Sequence, residues 1–150
     1  MLARIKVFLD SSALFAGIWS VEGGARMILK LGEAGAIRLL VSPQVLAEAE
    51  GALRRKAPDA LGLLAMLLDR SRAEIVPLPT AEVVERFQPI TNHRGDAQVL
   101  AAAWSAAADY FVTLDREHFL NNPVLKGAVS FPVGTPGDFL AWYRERLSGE

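Results

Sequence analysis

Residues 5–12 read Ile-Lys-Val-Phe-Leu-Asp-Ser-Ser. Ile5 to Leu9 is a short apolar run stopped by an acid and two serines, the pattern of a strand covered on both faces. Working outward, Ala25, Ile28, Leu29 and Leu31 fall at helical spacing between Gly24 and Ala34, and Ile37 to Val41 is a second buried strand. Ser42-Pro43 opens a helix to about Lys56, with serine as N-cap and proline at the first position. Leu61 to Leu68 is almost wholly apolar and is expected to pack deep. A third strand, Ile75 to Leu78, carries Pro77 and abuts Pro79, which suits a sheet edge. A short helix over Thr80 to Phe87 leads to a polar loop, Gln88 to Gly95, then to an alanine-rich helix, Asp96 to Ala108. Tyr110 to Leu114 and Val129 to Val133 are the fourth and fifth strands, and Thr135-Pro136-Gly137-Asp138 starts a last helix ending near Leu147. Strands separated by helices pair in parallel through right-handed crossovers. The expected fold is α/β, a three-layer α/β/α sandwich around a mostly parallel sheet of about five strands, as one domain over residues 1–150.

The 150-residue chain is 51% apolar, enough for a sizeable core. Its 16 basic and 17 acidic residues sum to −1, which removes any global basic field for nucleic acid or membrane. The absence of cysteine excludes disulfides, thiolate metal sites and cysteine catalysis. Two histidines, His93 and His118, leave little room for a histidine-rich metal site, and only His93 is expected near the active edge, as a surface loop residue. The longest apolar stretches fall short of the roughly 20 residues that span a bilayer. The run from Met1 to Leu9, with two basic residues and Asp10 behind it, does not make an export signal. The expectation is a soluble cytoplasmic protein with no membrane partner.

In a parallel sheet, ligands bind beyond the carboxyl ends of the strands, and the side chains falling there are acids. Asp10 follows the first strand and Asp115 the fourth; Asp96 begins the helix leading into the fourth, and Glu48 lies on the helix after the second. Each has an ordinary role open to it: Asp10 as a helix cap, Asp115 as a turn residue, Asp96 as a first-turn acid, Glu48 as a solvated helix charge. On a helical wheel, Asp96 falls near the middle of the stripe formed by Val99, Leu100, Ala103, Trp104 and Ala107, where a charge needs a partner. Glu48 and Glu50 lie on opposite borders of their helix's buried stripe, and periodicity does not choose between them. Should Asp10, Asp96 and Asp115 converge, each pair at about 4 Å would repel by roughly 4 kcal/mol at an effective dielectric of 20. Proton uptake or a cation must relieve that, and an oxygen-only set suits Mg²⁺ or Mn²⁺.

The stretches VFLDSSALFAG, VSPQVLAEAEGALRR, GDAQVLAAA, ADYFVTLDREHF and TPGDFLAWYRERL, which span most of the chain in order, resemble the PIN-domain nucleases. Within them they are similar to the bacterial single-domain proteins that include VapC-like toxins of toxin–antitoxin pairs. The resemblance implies a PIN-like fold and metal-dependent hydrolysis of RNA phosphodiesters, leaving 5′-phosphate and 3′-hydroxyl ends. It implies Asp10, Asp96 and Asp115 as metal-binding catalytic acids and Glu48, favoured over Glu50 by spacing, as the fourth acid acting through water. Ser12 (or Ser11) and Thr113 would support the acids, and Asp109 would be structural. Arg94 and Arg116, beside the acids, would meet RNA phosphates, while Arg54-Arg55-Lys56 suits helix-dipole complementation. The implied partners are RNA, a cognate antitoxin and a second copy of the chain in a homodimer. Trp19, in the loop after the first strand, is expected to serve a base or a dimer interface, and Trp104 the core.

Two other readings place an acid after the first strand. A phosphatase of the HAD type would need a second Asp two positions after Asp10, where Ser12 stands; a receiver domain would need an acidic pair near the start and a lysine after a late strand. A scaffold without catalysis would use Phe15, Ile18 and Trp19 as an exposed apolar contact surface.

Overall fold

The computed structural model describes residues 3–149; Met1, Leu2 and Glu150, part of the expected 1–150 domain and of the N-terminal apolar run, lie outside the described residues. Among the described residues, β1 (Lys6–Leu9), β2 (Arg38–Val41), β3 (Glu74–Ile75), β4 (Tyr110–Val112) and β5 (Val133–Gly134) form one sheet. Its order is β3-β2-β1-β4-β5 and every pair is parallel. Val7, Phe8 and Leu9 of the central strand are buried, and Phe8 stacks on Phe111 of β4 at 5.5 Å between ring centroids. The helices are α1 (Ser11–Trp19), α2 (Gly24–Glu33), α3 (Pro43–Lys56), α4 (Leu61–Arg70), α5 (Ala81–Thr91), α6 (Arg94–Ser105), α7 (Pro123–Ala128) and α8 (Pro136–Ser148). One layer is built by α1 to α4 with α8, which packs on α2; α5 packs on α6 and α7 in the other. Right-handed crossovers require this split, because the chain moves one way from β1 to β3 and the other way from β4 to β5. No helix among the described residues is long and apolar enough to cross a membrane.

Several elements differ from expectation. Trp19 is not in a loop but is the last residue of α1, and the capping role open to Asp10 is realised, its carboxylate accepting from the Ala13 amide at 2.9 Å. Because α1 is apolar almost all round, no periodic stripe marks it. Ile18 is buried and Phe15 half-buried, stacked on Trp19, so the expected apolar surface contracts to an exposed Trp19 with neighbours. Only Leu64 and Leu67 of α4 are buried and Met66 is exposed, since α4 packs on α1 to α3, which already cover that face. After Ile75, one further bond runs from the Val76 amide to Val41, but Pro77 and Pro79 have no N–H and the β3 ladder stops. At β5, Pro132 lacks a donor and offers only its carbonyl, to the Phe111 amide at 3.0 Å, so the strand shortens to Val133–Gly134; further upstream, Pro123–Ala128 forms α7, capped by the Asn122 side chain with proline at the first position. Gln88 to Thr91 extends α5 despite Pro89, leaving only Asn92, in a left-handed cap, and His93 between α5 and α6. Trp104 is exposed rather than core, its ring beneath the Arg86 guanidinium at 4.8 Å.

Candidate active site

The direction of chain progression reverses between β1 and β4, the switch point where open α/β sheets bind ligands. The Asp10 amide donates to the Val112 carbonyl at 3.1 Å, which continues the β1–β4 ladder past the strand ends and holds Asp10 beside the Thr113–Asp115 segment. Asp10 is 3% exposed. Its Oδ1 accepts from the Ser12 hydroxyl at 2.7 Å, and its Oδ2 from the Thr113 hydroxyl at 2.5 Å. Ser12 Oγ in turn accepts from the Leu114 amide, and Thr113 Oγ1 from the Asp115 amide, each at 2.9 Å. The two hydroxyls therefore stitch the end of β1 to the end of β4 through one carboxylate. Burial pushes the Asp10 carboxyl up to about 6, against the pull of Thr113, Ala13 and Ser12; the Asp115 charge pushes the same way.

Glu48 is raised by burial and then by the charges of Asp10 and Asp96, opposed by hydrogen bonds from Gln44 and Ser11. Gln44 also donates to the Gly95 carbonyl at 3.0 Å, joining α3 to the start of α6. Glu50 faces elsewhere and reaches Arg54 at 4.0 Å, a separation that the helical wheel alone does not make. Asp96 is raised first by burial and also by Asp115, while His118 and His93 lower it. It stands in the first turn of α6 but caps nothing: its Oδ2 is buried with no hydrogen-bond partner. Asp115 caps the single turn of π-helix at Arg116–Leu120. Its Oδ1 accepts from the His118 amide at 3.0 Å and its Oδ2 pairs with His118 Nδ1 at 2.8 Å. That bond, followed by the Asp115 and Asp96 charges, raises the imidazole despite some desolvation.

The four expected acids thus meet at one edge, where Asp10, Glu48 and Asp96 are each raised by burial and further by an acidic neighbour. Ser12 and Thr113 support Asp10 directly, and exposed Arg94 and Arg116 start the two segments that carry Asp96 and His118. Asp109, outside the cluster, accepts from the Lys6 amide at 2.8 Å. His118 was not expected here; its ring lies 5.4 Å from that of His93. The available signal was its place three residues after a capping acid, where a histidine's amide and ring can both return to that acid.

Among the described residues, no three Asp, Glu or His side chains close on a single point as placed. The donor chemistry still fits a hard divalent ion. An orphaned buried carboxylate oxygen and acids that raise one another lack positive charge, and Mg²⁺ is commonly held by one or two carboxylates while keeping several waters.

None of the curated proteins compared matches the chain in sequence. Among solved structures, it is similar to PAE2754 from Pyrobaculum aerophilum (22% identity, 81% of this chain and 90% of that one, TM-score 0.58). It is also similar to VapBC2 from Rickettsia felis, solved bound to a DNA fragment from its promoter (16%, 87% and 98%, TM-score 0.63). A third is VapC20 from Mycobacterium tuberculosis, a sarcin-ricin loop cleaving toxin (17%, 77% and 94%, TM-score 0.54). At these identities the likeness is one of fold, and it agrees with the parallel sheet described above. Residues 6–117 match the PIN domain family, a span running from β1 through every acid of the switch point, and the chain belongs to that family.

Proposed function

We propose that this chain is a Mg²⁺- or Mn²⁺-dependent endoribonuclease, a single PIN domain acting in the cytoplasm as the toxin of a toxin–antitoxin pair. The observation that carries this reading is the unpartnered, buried Asp96 Oδ2 among carboxylates raised by burial and by acidic neighbours at the sheet's switch point. Family membership and the fold shared with VapC20, a toxin that cleaves the sarcin-ricin loop, support a nuclease acting on RNA. The fold shared with VapBC2 supports an antitoxin partner; a homodimer completes the assembly.

Asp10, Asp96 and Asp115 would hold the ion, with Glu48 reaching it through water. When bound, the ion supplies Lewis-acid polarisation of the phosphodiester and activation of the attacking water. Ser12 and Thr113 keep both Asp10 oxygens aimed. Glu48, raised by burial and by the Asp10 and Asp96 charges, is suited to take the proton from the attacking water. Arg94 and Arg116 bind the flanking phosphates, so that attack runs in line and leaves a 5′-phosphate and a 3′-hydroxyl. The test is cleavage of a structured RNA with Mn²⁺ by wild type and Asp96→Asn. The variant should lose about 100-fold or more; equal activity, or cleavage undiminished by EDTA, rejects the reading.

A further inference from the structure

We propose that His118 is the positioning residue for Asp115, a role that rests on the metal-site reading above. Ser12 and Thr113 are committed to Asp10, one hydroxyl to each oxygen. Asp115 has no such pair. Both of its oxygens are instead engaged by one residue, Oδ1 by the His118 amide and Oδ2 by its ring Nδ1. A carboxylate only accepts, so Nδ1 carries the hydrogen, and each Asp115 oxygen keeps a lone pair for another partner.

His118 is itself held on several sides. The next residue, Phe119, is buried and packs edge-on against Phe111 of β4 at 5.1 Å. The Asn122 side-chain amide donates to the His118 carbonyl at 3.4 Å and to the Ile90 carbonyl, near the end of α5, at 3.0 Å. The His118 ring lies against His93, the residue that caps α6 and stands three positions before Asp96. The histidine pair therefore ties the turn bearing Asp115 to the start of the helix bearing Asp96. Groups that orient a metal-binding side chain typically govern metal affinity by 10–100-fold.

Two substitutions separate the hydrogen bond from the packing. His118→Phe keeps a ring against His93 and loses Nδ1; His118→Asn loses the ring and keeps an N–H at that position. Mn²⁺ affinity is measured by calorimetry, alongside the metal-free melting temperature and the kcat and KM for RNA cleavage. His118→Phe should weaken Mn²⁺ about 10–100-fold while His118→Asn stays within about threefold of wild type. In His118→Phe, kcat at limiting Mn²⁺ should fall and recover with excess ion, with KM for RNA unchanged. Wild-type affinity in His118→Phe overturns the proposal, since ring packing alone would then suffice, as does equal weakening in both variants, since the N–H kept by asparagine would then count for nothing. If wild type itself binds no Mn²⁺, the metal-site reading fails and this one with it. If Asp96→Asn loses Mn²⁺ and His118→Phe does not, only the role of His118 falls.

Discussion

Asp10 holds two duties that pull against each other. Its carboxylate caps α1 and clamps β1 to β4 through Thr113, yet at 3% exposure its charge is poorly solvated. With a folded value of about 6 against an ordinary 3.8, the native state binds more protons than the unfolded chain between about pH 4 and pH 6. Without metal, stability therefore falls as pH rises through that window and levels off above it. A rise of that size corresponds to about 3 kcal/mol. Asp10→Asn keeps an acceptor for Ser12 and Ala13 and can donate to Thr113, so urea melts in EDTA should show a flatter profile from pH 4 to 6. Above pH 6 the variant should gain stability over wild type by up to about 3 kcal/mol while losing cleavage; a wild-type slope in the variant would assign the pH effect to other groups. At this scale the sequence was partly legible. Asp96 was placed on an apolar face by its spacing to Val99, Leu100 and Ala103, and its oxygen is indeed buried without a partner. His118 was not legible, because its contact depends on a π-turn that no hydrophobic pattern encodes.

The elements around the site are held by polar links at their ends. Arg26 is buried, its Nε donating to the Gly17 carbonyl at 2.6 Å and its guanidinium to the Ile18 carbonyl at 3.2 Å. Those carbonyls belong to the last turn of α1, which has no further helical partner for them. Gly17 lets α2 approach closely there, since a Cβ would lie 3.0 Å from Leu29 Cδ1. Arg26→Leu should therefore destabilise the chain by about 1–3 kcal/mol, read as a lower urea midpoint at unchanged slope. A midpoint within error of wild type would mean that water replaces the guanidinium. Elements whose caps coincide with a periodic stripe, such as α3 behind Ser42-Pro43 and α8 behind Thr135-Pro136, were readable from sequence. α1 was signalled only by the capping role open to Asp10, since its uniform hydrophobicity leaves no stripe, and α7 was hidden by brevity, although Asn122-Pro123 carries the same kind of cap.

At the scale of the molecule, local patterns give the strands but not their neighbours. Nothing between Asp10 and Asp115 in sequence says that β1 and β4 adjoin; that pairing sets the switch point and brings the acids together. It also changes what a net charge of −1 means for nucleic acid. Negative charge is concentrated at one edge, while Arg94 and Arg116 are exposed beside it, so under the proposed function RNA would meet repulsion and attraction at the same place. A divalent ion bound to the acids would reduce the repulsion and leave the arginines. RNA affinity should thus rise with Mn²⁺, by about tenfold or more, equivalent to about 1.4 kcal/mol. Glu48→Gln is the suitable protein, because it lacks the proposed proton acceptor and should bind without turnover. Fluorescence anisotropy with a labelled RNA should show tightening on Mn²⁺ addition and reversal by EDTA. Arg94→Ala and Arg116→Ala should each weaken binding and lower the salt slope by about 1. Affinity that is unchanged or weaker with Mn²⁺ would place the RNA away from the carboxylate edge, on a surface whose charge the metal does not alter.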